Sequence, residues 1–390
     1  MPGISWSQCQ AAGINFKARK QIDTNMFEDI RPYTDEEAKQ VWLKMLRNPD
    51  VVSILNQLGV TILPEYHLLD NLESLHLTIA ALIIEKVLDT TSDGLTFSGA
   101  DALKADNGPG FLFISNHRDI VLDPALLVYA YCRSGYKPVQ SAVGDNLFTT
   151  PFVTELLKAN RSFVVKRNLP RREQLKASKE LSAYIWYQIR NGQAVWIAQR
   201  EGRAKDGNDF TNPAMLSMLH LSERKNIPFS EFVNQINIVP VSISYEYDPC
   251  DELKARELWT LEQNHARYEK GENEDVSSIV QGVTGYKGRI HITFGSRLTG
   301  DFPDVRAAAQ AIDHQIITNY RLWPSNVSAY NELFGTHSDV AAAEKQKFLD
   351  RVNTIPEELR TYILNMYASP VRNKRALTIN QPLEDETPSP

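Results

Sequence analysis

Cysteine is scarce in this sequence: 3 in 390 residues, Cys9, Cys132 and Cys250. Their odd number and wide spacing exclude a disulfide framework and a cysteine-based zinc site, and suit a reducing compartment. A long apolar run is missing too. The best, Leu77 to Leu88, contains Glu85 and Lys86 and is far short of the ~20 apolar residues that span a bilayer. It reads as a buried helix. Residues 1–20 have no charged start followed by an apolar core, so no secretory signal is expected. Positive charge is not in excess: 42 Lys+Arg against 48 Asp+Glu leave a formal charge of −6, which argues against a nucleic-acid partner. The histidines show no paired ligand spacing, and no metal site is expected. What remains is globular. With 42% hydrophobic and 23% charged residues, disorder of the whole chain is excluded. The length exceeds a typical single core, so two domains, or one with an appendage, are expected.

Residues 1–26 read as a flexible leader. Thr34 and Glu37 then have the spacing of a capping box, and Val41, Trp42, Met45 and Leu46 follow at helical intervals. Asn48-Pro49 ends that helix; residues 50–58 and 68–88 read as two more, giving a small helical domain over 27–92. The texture then changes. Strands are expected at 95–98, 110–115, 162–166, 194–198, 237–245 and 289–294, with helices at 124–133, 151–159, 171–191, 213–225 and 250–270. This alternation implies an α/β domain over 93–300, a mixed and mostly parallel sheet flanked by helices. Helices at 303–322, 339–352 and 356–366 form a C-terminal close over 301–370, packed on that domain. Residues 371–390 read as a disordered tail.

Four features carry chemistry. The segment Ser115-Asn116-His117-Arg118-Asp119 continues to Asp123-Pro124, following a buried strand and preceding a helix. Loops at the C-terminal ends of strands are where α/β sheets hold ligands. His117 is thus a candidate general base, with Asp123 or Asp119 on its other ring nitrogen. The plainer alternative is a polar turn, with Asp123 as helix N-cap and Pro124 at the first helical position. Second, Lys158, Arg161, Lys166, Arg167, Arg171 and Arg172 occur with no acid between Leu156 and Arg172. Lys166 and Arg167 end a strand and could hold a phosphate; a solvated basic loop is the alternative. Third, Glu201-Gly202-Arg203-Ala204-Lys205-Asp206-Gly207 follows the strand AVWIA. Arg203 and Lys205 add positive charge that Glu201 could orient, or the segment is a charged turn. No GxxxxGK[ST] is present, so it is not a P-loop. Fourth, Val239-Pro240-Val241 puts a proline inside an apolar strand, a mark of an edge, bulge or kink.

In this order, over about residues 110–245, the four features resemble the four sequence blocks of the glycerolipid acyltransferase family, the 1-acylglycerol-3-phosphate and glycerol-3-phosphate O-acyltransferases. Two departures stand out. Five residues, not four, separate His117 from Asp123, with Leu122 at the usual Asp position. The third block is one residue short between Gly202 and Arg203, or equally Glu201 is shifted. The resemblance implies transfer of a fatty acyl group from acyl-CoA or acyl carrier protein to 1-acyl-glycerol-3-phosphate, with glycerol-3-phosphate as the alternative acceptor. It implies His117 as base, Asp123 or Asp119 as its partner, and no acyl-enzyme. Arg118, Lys166, Arg167, Glu201, Gly202, Arg203 and Lys205 would bind substrate, and neither cofactor nor metal is called for. Such an enzyme would be cytoplasmic and peripheral on the inner face of the cell membrane. With a net charge of −6, attachment would be local, through the 158–172 stretch with Phe148 and Phe152. An inactive lipid- or phosphate-binding module is the non-enzymatic alternative.

Overall fold

The computed structural model describes residues 27–57, 60, 76–105, 110–167, 169–264, 268, 271 and 274–379. The expected leader, residues 68–75 of the expected third helix and the end of the tail lie outside the described residues. Thr34 opens α1 (Asp35–Leu46) with the expected box: Glu37 N–H donates to Thr34 Oγ1, and Thr34 N–H to Glu37 Oε2. Pro49 starts α2 (Pro49–Gln57), and a π-helical turn (His76–Ala80) leads into α3 (Ala81–Thr91).

The sheet follows. Its strands are β1 (Leu95–Ser98), β2 (Leu112–Ser115), β3 (Gln140–Gly144), β4 (Ser162–Val165), β5 (Val195–Ala198), β6 (Ile238–Tyr245) and β7 (Ile290–Phe294). They lie in the order β1-β7-β6-β2-β5-β3-β4. All neighbours are parallel except β6 and β7, so β7 and β1 run against the other five. The intervening helices are α4 (Leu122–Arg133), α5 (Pro151–Ala159), α6 (Arg171–Arg190), α7 (Pro213–His220), α8 (Phe229–Gln235), α9 (Asp251–Gln263) and α10 (Glu274–Thr284). Four more close the chain: α11 (Val305–Asn319), α12 (Pro324–Phe334), α13 (Ala342–Thr354) and α14 (Glu357–Thr378).

Alternation along the strands splits the core in two. Leu112, Ile114, Val195, Ile197 and Ile238 face one side, against Tyr184, Ile185 and Ile189 of α6 and Ile312 and Ile316 of α11. Phe113, Trp196, Val239, Val241 and Ile243 face the other, against Leu126, Leu127 and Tyr131 of α4. Leu112, Phe113 and Ile114 are fully buried; each such side chain stabilises the fold by roughly 1.5–3 kcal/mol. Burial on both faces is why β2 and β6 read as continuous apolar runs rather than alternating ones.

The structure departs from the expected elements in several places. β3 escapes detection because QSAVG is short, polar and only two-fifths apolar, yet it sits between β4 and β5. The helix expected over 213–225 ends at His220, whose Nε2 meets Ile227 O at 2.7 Å, and α8 begins after Pro228. Helix α9 stops at Gln263, and α10 and α12 are additional. Helix α14 runs through the start of the expected tail, because Met366, Tyr367, Ala368 and Val371 are buried. The 27–92 region has a small core of Ala38, Trp42, Leu46, Leu55 and Ile79, but also Ala159 of α5. It is sewn to the sheet edge as well: Phe27 and Ile30 join the main core, and Val164 N–H donates to Ile30 O. For the site, one consequence matters most. β2, β3, β4 and β5 are parallel, so the loops that follow them leave from the same edge of the sheet.

Candidate active site

Three buried groups shape the loop after β2. Asn116 pairs with the backbone of β6: its Nδ2 donates to Ile243 O and its Oδ1 accepts Ile243 N–H, at 2.9 and 2.8 Å. That two-point clamp turns the next residue outward. His117 N–H donates to Asp209 Oδ2 at 2.5 Å, and His117 O accepts Ala204 N–H at 3.0 Å, so the loop after β5 holds the histidine backbone from both sides. The imidazole packs edge-on against Trp196, ring centroids 5.8 Å apart. Its Nδ1 lies 2.9 Å from Asp123 Oδ2; the histidine side chain is 15% exposed and the aspartate 0%. An ionised carboxylate only accepts, so Nδ1 carries the proton and Nε2 is left with its lone pair.

Asp123 is the partner that the sequence left undecided. Its Oδ2 also accepts Arg118 N–H and Asp119 N–H at 2.5 and 2.8 Å, and its Oδ1 accepts the Tyr245 hydroxyl at 2.9 Å. Asp119 does other work. Its Oδ1 accepts Val121 N–H and Leu122 N–H, satisfying donors at the start of α4. The plain turn described above thus has its residues exchanged: Asp119 makes the capping bonds, while Asp123 lies inside the first turn and points back at the histidine. The five-residue spacing still closes the pair, because 118–121 form a tight turn before the helix starts at Leu122.

Electrostatics behind the loop are dense. Arg118 is buried, with Nη2 3.4 Å from Asp248 Oδ2, and its carbonyl accepts Lys254 Nζ at 2.6 Å. Lys254 also bonds Asp248 directly. Burial alone would raise the Asp248 carboxyl, but Lys254 and Arg118 outweigh it and hold it below the ordinary carboxylate range. Burial, then the charge of Asp123, pushes Asp119 up, and burial pushes Asp209 up.

Positive side chains end up in different settings. Arg203 donates through Nη2 to Ser278 Oγ at 3.3 Å, while its Nη1 is buried with no hydrogen-bond partner among the described residues. Gly202 before it has φ 74°, a left-handed turn that favours glycine. Arg167 bridges two loops, its N–H to Asp145 Oδ2 and its Nη1 3.4 Å from Glu201 Oε1.

Residues 94–244 match the family model described as Acyltransferase. Over those residues the chain is similar to the acyltransferase family. Among solved structures, the 1-acyl-sn-glycerophosphate (LPA) acyltransferase PlsC from Thermotoga maritima is similar at 11% identity and a TM-score of 0.38, over 72% of this chain and 92% of that one. No curated protein matches the chain in sequence.

Within the matched region, His117, Arg203 and the bridged pair Arg167–Glu201 lie on loops of one sheet edge, with Asp123 in the first turn of α4 beside them. Other expected substrate contacts are engaged elsewhere. Arg118 turns to Asp248, Lys205 bonds Glu257 of α9, and Lys166 lies 3.3 Å from Asp29. The basic stretch as a whole is largely offset. Lys158 stands over the Tyr33 ring and Arg161 pairs with Asp35, leaving Arg171 and Arg172 exposed at the start of α6. Asp29, in the turn before α1, and Asp35, at its start, are more than 100 residues away in sequence and balance a run that has no acid of its own. Four contributors escaped the sequence reading: Asp209, Tyr245, Asp248 and Lys254. Asp209 had a weak signal, two residues past Gly207 in the third block; nothing local marks a lysine as buried. Among the described residues no helix is long and apolar enough to cross a membrane.

Proposed function

We propose that the chain transfers a fatty acyl group from a thioester, acyl-CoA or acyl carrier protein, to the free hydroxyl of 1-acyl-glycerol-3-phosphate, acting at a membrane surface. The observation that carries this reading is the His117–Asp123 pair, in which Nδ1 faces the carboxylate and Nε2 is the ring nitrogen left to act as base. Nε2 takes the proton of the acceptor hydroxyl as its oxygen attacks the thioester carbonyl. The new C–O bond forms, the C–S bond breaks, and the imidazolium returns the proton to the thiolate. Asp123 offsets the imidazolium charge in between, as in a triad whose serine is supplied by the substrate. Direct transfer without an acyl-enzyme is supported by Ser115, the neighbouring hydroxyl: it is buried, donates to Asn116 O and accepts Trp196 Nε1–H. Arg203, with one nitrogen unpaired beside the loop that holds His117, is the favoured phosphate ligand, and Arg167 the second. Phe152, 48% exposed, is the aromatic available to a membrane surface, whereas Phe148 packs on the core.

The test is thiol release from acyl-CoA by purified protein, with 1-acyl-glycerol-3-phosphate or glycerol-3-phosphate as acceptor and anionic vesicles present or absent. Turnover on the lysophospholipid that His117→Ala abolishes supports the reading. Activity on glycerol-3-phosphate alone transfers the assignment to that acceptor. No thiol release with either acceptor over several chain lengths rejects acyl transfer in favour of a binding module.

A further inference from the structure

We infer that Tyr245 is a positioning residue for the proton transfer, a third member of the His117–Asp123 arrangement that sets how strongly the aspartate draws on the imidazole. The inference rests on His117 acting as general base. Its starting point is the division of labour on the Asp123 carboxylate. Oδ2 collects three donors, the imidazole and two backbone N–H groups, whereas Oδ1 accepts from the Tyr245 hydroxyl. Asp123 is completely buried, so nothing from solvent replaces the phenol. Tyr245 is 4% exposed at the end of β6, two residues beyond Ile243, whose backbone Asn116 clamps. The same strand therefore fixes the histidine loop from one side and its aspartate from the other. This gives a role to the strand containing Val239-Pro240-Val241, which no sequence signal supplied.

The chemistry follows from charge. A phenol hydrogen bond withdraws negative charge from the carboxylate and fixes its plane, with Oδ2 turned to Nδ1. Asp123 then stabilises the imidazolium less than a bare buried carboxylate would. Burial, then the charge of Asp123, pushes the Tyr245 phenol well above its ordinary value, so it remains a donor throughout. The surroundings add ionisable groups of both signs: Asp119 and Asp209 on the adjoining loops, Asp248 and Lys254 beneath Arg118, and Arg203 on the β5 loop. All of these persist when the phenol is removed, so a change at Tyr245 reports on its own bond.

The experiment compares pH–rate profiles of the full chain, wild type against Tyr245→Phe, using thiol release. The expected result is an acid limb displaced upward by about half to one pH unit, kcat reduced several-fold below the limb, and acceptor KM unchanged. A purely structural role would lower Tm and leave the limb in place. Substituting a fluorinated tyrosine at position 245 keeps volume and donor while strengthening the bond, and should displace the limb downward; it also serves if Tyr245→Phe does not fold. An unmoved limb in these proteins overturns the inference. If His117→Ala were still active, the reading of the base itself would fail, which is a different result.

Discussion

Replacing Asp123 by asparagine, with Asp119→Asn as its control, separates the two carboxylates that compete for His117. Both changes remove one buried negative charge from the same loop at nearly constant volume. At position 123 the amide oxygen can still serve the donors around Oδ2, and the Tyr245 hydroxyl can rotate to accept from the new NH₂. Backbone geometry therefore survives, but the ion pair with the imidazolium does not. A hydrogen bond to a charged group is worth about 1.5–3 kcal/mol, and about 1.36 kcal/mol is a factor of ten in rate, so kcat should fall by about 13- to 160-fold from that loss alone. If the imidazole also changes tautomer, the fall extends toward about 10⁴, as in serine-hydrolase triads. Asp119→Asn keeps the oxygen that caps Val121 and Leu122 and should leave kcat within about fivefold. Steady-state thiol release at saturating acceptor, with Tm as the check on folding, gives both numbers. Equal losses in the two variants, or Asp123→Asn within about threefold of wild type, would refute the pairing as a catalytic device.

Three further outcomes are expected. Arg203→Ala removes a charged donor whose Nη1 has no hydrogen-bond partner among the described residues; acceptor KM should rise about tenfold or more with a smaller change in kcat, and unchanged KM would remove Arg203 from the phosphate site. Gly282→Ala brings a Cβ to 2.2 Å from Asp119 Oδ2; α10 or the cap must shift, at a cost of about 1–3 kcal/mol readable by denaturant titration, and wild-type stability would show that the packing is slack. Lys287 is buried, with Nζ donating to Thr91 Oγ1, Val283 O and Gly285 O, and burial lowers its amine from 10.5 to about 8. Between those values the unfolded chain binds more protons than the folded one, so wild-type stability rises with pH from about 8 to 10.5. The Lys287→Met stability curve should lack that rise; parallel curves would show that the amine titrates normally.

Much of the architecture was legible because burial writes itself into pattern. β2, β5 and β6 are apolar runs ended by polar, glycine- or proline-bearing loops, and the start of α1 follows from Thr34 with Glu37. β3 was not legible, since a strand between two others can be polar when its neighbours supply the hydrogen bonds. Helices α10 and α12 were missed for a similar reason: Ser278 and Gly282, or Ser325 and Asn326, are buried against distant polar groups. Periodicity counts only apolar residues and does not see them.

At the site, the sequence alone singled out His117, since an Asn-His pair after a buried strand and before a helix needs no distant information. It also marked the glycine-punctuated loop around Arg203 and limited the histidine's partner to two aspartates. Which aspartate, and with what consequence, was a tertiary decision. Side-chain direction at the head of α4 depends on where the helix starts, and that start is held by Asp119, Tyr245 and Lys254 acting together. The charge balance was likewise beyond local reading: Asp29, Asp35 and Glu201 neutralise a basic run that looks isolated along the chain. Local sequence specifies which groups are present and which backbone they favour. Coulomb interactions and desolvation act through space, so only the folded chain decides which charges remain available for a substrate.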